Sequence, residues 1–293
     1  MDKMYYSLSD YVVNNKLSKN IVLNDIDAYI NNEKYNFVYN KLWLCKSQNI
    51  SCAPIGVYPS EFPIVFKPVY NLFGMSRSYY KVDTFDDYEN YKKDGLFWMP
   101  FYSGVQINLD IVYDKNKIVF YSALKSYPGE NGTFKMHQSH NSYIISEKIL
   151  NWIHNYFKDY KGCINLELIQ DNIIECHLRL NGDFHLYNKI FSKKLSKFLD
   201  NKKVDFNYNI PEICMFPFFI YGKDTIHFES IKKDLKDILN NDQNVLTYYF
   251  DNIDSDYQSD YKKRALMFSC NDFINGTNII KMIDIKFKLE LIK

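Results

Sequence analysis

Cysteine pairs at metal-ligand spacing are missing from this sequence of 293 residues. Its six cysteines are Cys45, Cys52, Cys163, Cys176, Cys214 and Cys270. None forms a C-x-x-C pair, and they lie far apart or within hydrophobic runs, which argues against a zinc site or a disulfide scaffold. Free thiols in a reducing compartment are the expectation, and so is a cytoplasmic location. The N-terminus, MDKMYYSLSDYV, lacks the unbroken apolar core of a signal peptide, and no run approaches the length that crosses a bilayer. No membrane role is expected. An excess of one charge is also missing, because 36 Lys+Arg stand against 35 Asp+Glu for a net charge of +1. The paired lysines are scattered among acids, which excludes a broad nucleic-acid surface. There is no internal repeat, no Walker A sequence, and no G-x-G-x-x-G after a strand. Alanine is scarce, while Tyr (26), Phe (22), Asn, Ile and Lys are abundant. That bias follows the drift of an AT-rich genome and is a weak pointer to a stacking surface.

The length suffices for one large or two modest domains with a real core. Helical pieces are expected over residues 7–48, including a segment at 36–48. The prolines at 54, 59 and 63 break that pattern before a short buried strand, 64–69, that carries Lys67. A strand at 96–101 precedes a β-hairpin of 105–113 and 117–125, turning at Asp114, Lys115 and Asn116. Residues 126–141 read as a polar loop. In 142–160, Ile145, Ile149, Trp152, Ile153 and Tyr156 recur with helical period and predict a core-facing stripe. A helix is expected at 186–199, followed by a strand at 213–221, a helix at 228–240, strands near 245–250 and 264–269, and a terminal helix and strand. These parts suggest a short helical segment (1–35), a main domain (36–200) and a separate α+β unit (201–293).

The chemistry concentrates in CINLELIQDNIIECHLR, residues 163–179. A turn at 170–172 folds two short strands side by side. By period two, Asn165 and Glu167 share a face, as do Glu175, His177 and Arg179, while Ile164, Leu166, Ile174, Cys176 and Leu178 point to the other side. Carboxylates converging on one point repel unless a cation lies between them, and such oxygen ligands suit Mg2+ or Mn2+ shared with phosphates. A surface hairpin with solvated polar residues is the alternative. Lys67, inside an apolar strand, calls for an anionic partner, which a phosphate would supply. The segment that follows, NLFGMSRS, offers Gly74 for close backbone approach and Ser76, Arg77 and Ser78 as donors.

The order of these parts resembles the ATP-grasp superfamily over roughly residues 36–190. A lysine opens a helix at Lys41, a second lies in the strand FPIVFKP, a Gly/Ser loop follows, a strand ends in a glycine turn at Gly104, and an acidic hairpin ends in Glu-x-His-x-Arg. The resemblance implies an α+β, two-lobed nucleotide-binding fold with an additional C-terminal α+β unit. It implies ATP and Mg2+, or Mn2+, with Lys41 and Lys67 on phosphates and Gly74 and Ser76 in the closing loop. Adenine would hang at about Trp98, Met99 and Phe101, and Gln106 would stand at the ribose, where acids are more usual. Glu167, Glu175 and His177 take the metal positions. Arg179 takes that of the arginine that stabilises the transferring phosphoryl group.

His177 departs from the metal-binding asparagine of the family, and few residues precede Lys41 where many relatives carry a whole domain. The implied activity is an ATP-dependent ligase joining a carboxylate, small-molecule or peptide, to an amine or another nucleophile through an acyl phosphate. A small-molecule kinase on the same fold and a degenerate binding protein without turnover are the alternatives. Asp110 reads as a hydrogen-bonding residue at least as well as a ligand. His137 and His140 could line an acidic acceptor, whereas His154 and His227 read as structural.

Overall fold

The computed structural model describes residues 4–5, 12–73, 78–129, 133–183, 189–206, 211–221, 224–251 and 262–291. The chain forms two compact units. One comprises Val22–Thr133 with Ser142–Asn181, and the other Met1–Ile21, Phe134–Asn141 and Gly182–Lys293.

The first unit contains two antiparallel sheets. Its larger sheet orders the strands Lys117–Pro128, Gln106–Asp114, Lys161–Ile169 and Asn172–His177. Alternation gives the sheet one apolar and one polar face. Leu109, Ile111, Ile164, Leu166 and Leu168 are fully or almost fully buried on the apolar face. They share a core with Ile149, Trp152 and Ile153 of the helix Glu147–Tyr156, the stripe expected from the sequence. Both hairpin turns use left-handed backbone, at Lys115 and Asn116 (φ 43° and 73°) and at Gln170 and Asp171 (φ 52° and 57°). Two successive residues with positive φ are what a tight two-residue hairpin turn requires.

The smaller sheet orders Ala53–Pro54, Leu96–Pro100, Ile64–Pro68 and Tyr80–Val82. Ile64, Phe66, Leu96 and Trp98 pack with Val82 and Tyr88 in one core. The alternate residues Val65, Phe97 and Met99 pack with Cys45 and Ile50 in another. Lys67 shares the alternation of Val65.

Before that sheet, the expected helix over 36–48 is broken in two. A 3-10 turn, Glu33–Tyr39, ends at Asn40, whose side chain accepts from the Trp43 N–H (2.9 Å) and so caps the helix Lys41–Lys46. Lys41 therefore opens a helix, as read from the sequence.

The register of the acidic hairpin contains a β-bulge. Ile173 pairs with Leu168, but Glu175 pairs with Glu167, which leaves Ile174 as an extra residue. The bulge sets the two glutamates directly opposite one another. It also corrects one expectation, because Ile174 packs with the Val65 and Met99 cluster and not with Cys176 and Leu178. Gln48 holds the bulge by accepting from the Ile173 N–H and donating to the Ile173 carbonyl, both at 2.8 Å.

The second unit orders its strands Met4–Tyr5, Val245–Phe250, Lys262–Cys270, Cys214–Tyr221 and Phe134–Ser139. The helices Thr225–Asn241 and Phe273–Leu291 pack on this sheet and on each other. Gly276 allows close approach, since a Cβ there would stand 2.2 Å from the Phe216 ring. Inside this unit Arg264 pairs with Asp183 and Asp251, both at 2.9 Å. Two expectations are corrected. Part of the polar stretch 126–141 is the strand Phe134–Ser139, in which Met136 and His137 are both buried, and Phe273–Leu291 is one continuous helix with no terminal strand among the described residues. Among the described residues, no helix is long and apolar enough to cross a membrane.

Candidate functional site

The polar face of the larger sheet carries Gln106, Asn108 and Asp110 on one strand, Asn165 and Glu167 on the next, and Glu175 and His177 on the edge strand. Most of these side chains are buried, so their partners decide what the face can do. Asp110 accepts from the Asn165 side chain (2.8 Å) and the Asn181 backbone N–H (2.7 Å), a structural role. Asn108 donates to Ser126 (2.5 Å).

Each glutamate has its two oxygens turned to different partners. Glu175 Oε1 accepts from Lys41 Nζ (2.6 Å) and Lys67 Nζ (2.9 Å), whereas Oε2 lies 3.7 Å from His177 Nε2. Glu167 Oε2 accepts from Gln106 (2.8 Å), whereas Oε1 lies 3.7 Å from the same His177 nitrogen. One ligand atom from each of Glu167, Glu175 and His177 lies within 4.8 Å of the others. Protein donors thus fix one side of each acid, and the free sides converge on an imidazole nitrogen. Lys67 also donates to the Ile174 carbonyl (3.4 Å), which the bulge presents.

His177 is held from behind. Its Nδ1 stands 3.0 Å from Asp25 Oδ1, which also accepts from the Tyr39 hydroxyl (3.0 Å), and the Tyr39 oxygen accepts in turn from the Leu178 N–H (3.0 Å). Asp25 Oδ2 accepts from Arg179 Nη2 (2.5 Å), and Arg179 Nη1 donates to the Leu180 carbonyl (2.9 Å). Arg179 Nε is buried without a partner among the described residues. Asp25 is 3% exposed and opens the helix Asp25–Asn31, which Asn24 caps by accepting from the Asp27 N–H.

The charges are mutually dependent. Burial opposes ionisation of Glu175, but Lys41, Lys67 and His177 outweigh it and hold the carboxyl well below the usual range. Burial likewise opposes charge on Lys67, and Glu175 more than compensates, so this ammonium is held above its ordinary value. For Lys41 burial wins over Glu175, with repulsion from Lys67 adding to it, and the ammonium is pulled down. Burial would strip the proton from His177, but the charge and hydrogen bond of Asp25, then Glu167, push it up to about 9. Asp25 itself is held far below the usual carboxyl range, since His177 and Arg179 overcome the cost of its burial.

Of the residues expected at a site, Lys41, Lys67, Gln106, Glu167, Glu175, His177 and Arg179 all fall within this network. Gln106 is engaged by Glu167. Met99 and Phe101 belong to the apolar cluster on the Val65 side of the smaller sheet, whereas Trp98 faces the opposite cluster and donates its indole N–H to the Val57 carbonyl (2.6 Å). Alternation along the strand sends it there. Gly74 and Ser76 lie outside the described residues. Asp25, Tyr39 and Gln48 are the residues that sequence reasoning missed. Nothing local distinguishes Asp25 from Asp27, an exposed acid in the same helical turn.

Comparison with known proteins gives the fold a name. Carboxyaminoimidazole ribonucleotide synthase from Aspergillus clavatus, solved with ATP, is similar at a TM-score of 0.59 and 14% identity, over 87% of this chain and 74% of that one. L-amino acid ligase from Bacillus licheniformis is similar at 0.55 and 11%, over 88% and 72%. An N5-carboxyaminoimidazole ribonucleotide synthetase with ADP is similar at 0.60 and 10%, over 84% and 71%. The chain has the α+β ATP-grasp fold. By sequence it matches no family model and no curated protein.

Proposed function

We propose that the chain is an ATP-dependent ligase that joins a carboxylate to an amine or another nucleophile through an acyl phosphate, with a divalent metal ion at Glu167, Glu175 and His177. The observation that carries this reading is the pair of buried ammonium groups on a single oxygen of Glu175, beside a second acid and an imidazole. Two buried lysines sharing one carboxylate leave an excess of positive charge, which a phosphate chain would meet. The donor set also fits a divalent ion. Both acids present an oxygen towards His177 Nε2, whereas Arg179 Nε, a buried donor without a partner among the described residues, would meet a phosphate oxygen. Mg2+ or Mn2+ held by this set would neutralise charge on the terminal phosphoryl groups.

In the reaction, a substrate carboxylate oxygen bonds to the γ-phosphorus as the bond to the bridging oxygen breaks, and ADP leaves. The nucleophile then displaces phosphate from the acyl carbon. Lys41 and Lys67 would steady the phosphates, and Arg179, which spends one N–H of each terminal nitrogen on Asp25 and the Leu180 carbonyl, would offer its buried Nε to a phosphoryl oxygen. Met99 and Phe101 would line the adenine side. The loop with Gly74 and Ser76 would exclude water that otherwise hydrolyses the acyl phosphate. The proteins of this fold solved with ATP and ADP, and an amino acid ligase among them, support the reading.

Thermal unfolding with ATP and Mg2+ tests it, followed by release of ADP and phosphate across a screen of carboxylates and amines. The native chain should gain stability with nucleotide and turn over only with an acceptor, and Glu175→Ala should do neither. Equal nucleotide stabilisation of both chains without turnover would leave a binding protein, and a stable phosphorylated product would indicate a kinase.

A further inference from the structure

We propose that the metal position is built for a first-row transition ion such as Mn2+ in preference to Mg2+, with His177 as a nitrogen ligand that Asp25 holds in place. The inference rests on the metal site of the ligase reading and deepens it. His177 is 6% exposed, and its Nε2 lies 3.7 Å from one oxygen of Glu167 and 3.7 Å from one oxygen of Glu175. A buried ring nitrogen aimed at two acids is an arrangement that a cation completes.

The other face of the ring supplies the second observation. A ligating imidazole commonly gives its remaining N–H to a carboxylate, which fixes both tautomer and ring orientation. Asp25 stands at Nδ1 in that position and is itself immobilised by Tyr39 and Arg179. The Asp25 contact with Nδ1 aims Nε2 at the acids, where a bound metal ion would take the place of the proton on that nitrogen. Mg2+ demands oxygen ligands and near-ideal octahedral geometry, whereas nitrogen donors favour first-row transition ions. One imidazole among two carboxylates therefore shifts selectivity away from Mg2+. Asp25 acts through His177 and is a positioning residue.

The test loads the full-length chain with Mn2+, with and without ADP, and measures affinity by EPR, Mg2+ affinity by competition, and nitrogen coupling by pulsed EPR. The native complex should show coupling to a ring nitrogen. His177→Asn should lose that coupling and bind Mn2+ at least about 10-fold more weakly, with a much smaller change for Mg2+. Asp25→Asn should weaken Mn2+ binding by about 10-fold and alter the His177 tautomer seen by 15N NMR, a readout that general destabilisation does not move. A native Mn2+ complex without nitrogen coupling, no Mn2+ binding by the native chain, or an unchanged Mn2+ to Mg2+ preference in His177→Asn would each overturn the inference. Nitrogen coupling without any ATP turnover would instead sink the ligase reading and leave the metal assignment standing.

Discussion

Lys41 and Lys67 both touch Glu175, so its charge keeps two buried ammonium groups tolerable. Breaking a buried ion pair by removing one partner costs about 3–5 kcal/mol, because the remaining charge stays buried and uncompensated. Glu175→Gln should therefore lower the unfolding free energy by about that much in urea titrations, with partial recovery in added sulfate. A loss under about 1 kcal/mol would show that the lysines find other partners. Asp25 gives a pH signature. Its carboxyl is held below its usual value in the folded chain, so the stabilisation it provides is complete above about pH 4, the unfolded value, and drains away as pH falls below that. Between about pH 5 and pH 3 the metal-free native chain should lose stability more steeply than Asp25→Asn. Equal slopes would mean that the carboxylate is not the coupled group.

At the scale of elements, the acidic hairpin was legible and its register was not. Period-two alternation places Glu167, Glu175 and His177 on one face, and a turn at Gln170 and Asp171 joins their strands. The bulge at Ile174 leaves no local mark, because a one-residue slip is decided by partners on other strands and by Gln48, 125 residues away in sequence. Gln48→Ala should cost about 1–3 kcal/mol, as the Ile173 backbone groups lose their partners, and should weaken metal binding in calorimetric titration through loss of the glutamate register. Unchanged metal affinity at reduced stability would separate the bulge from the site. In the other unit, close contact of Gly276 with Phe216 predicts that Gly276→Ala lowers stability by about 1–3 kcal/mol in thermal or urea unfolding, with no effect on metal binding. The strand Phe134–Ser139 escaped sequence reading because its lysine, histidine and glutamine resemble a solvated loop. In the fold, Met136 and His137 are buried and the strand pairs with Cys214 and Met215.

At the scale of the whole molecule, the order of parts along the chain carried the fold, although no single motif did. Lys41 at a helix start, Lys67 in a strand and the acidic hairpin are separated by long stretches of sequence, yet one compact unit brings their side chains within hydrogen-bonding distance. Asp25, still further upstream, had no legible role because its partners His177 and Arg179 lie more than 150 residues away. The central claim is that one set of acids holds a metal while the lysines beside it hold the phosphates that metal accompanies. A crystal structure with a non-hydrolysable ATP analogue and Mn2+ tests it most directly. The account predicts an anomalous manganese peak bounded by Glu167, Glu175 and His177, with phosphate oxygens on Lys41 and Lys67. Manganese bound elsewhere, or a nucleotide whose phosphates avoid Lys67, would contradict it.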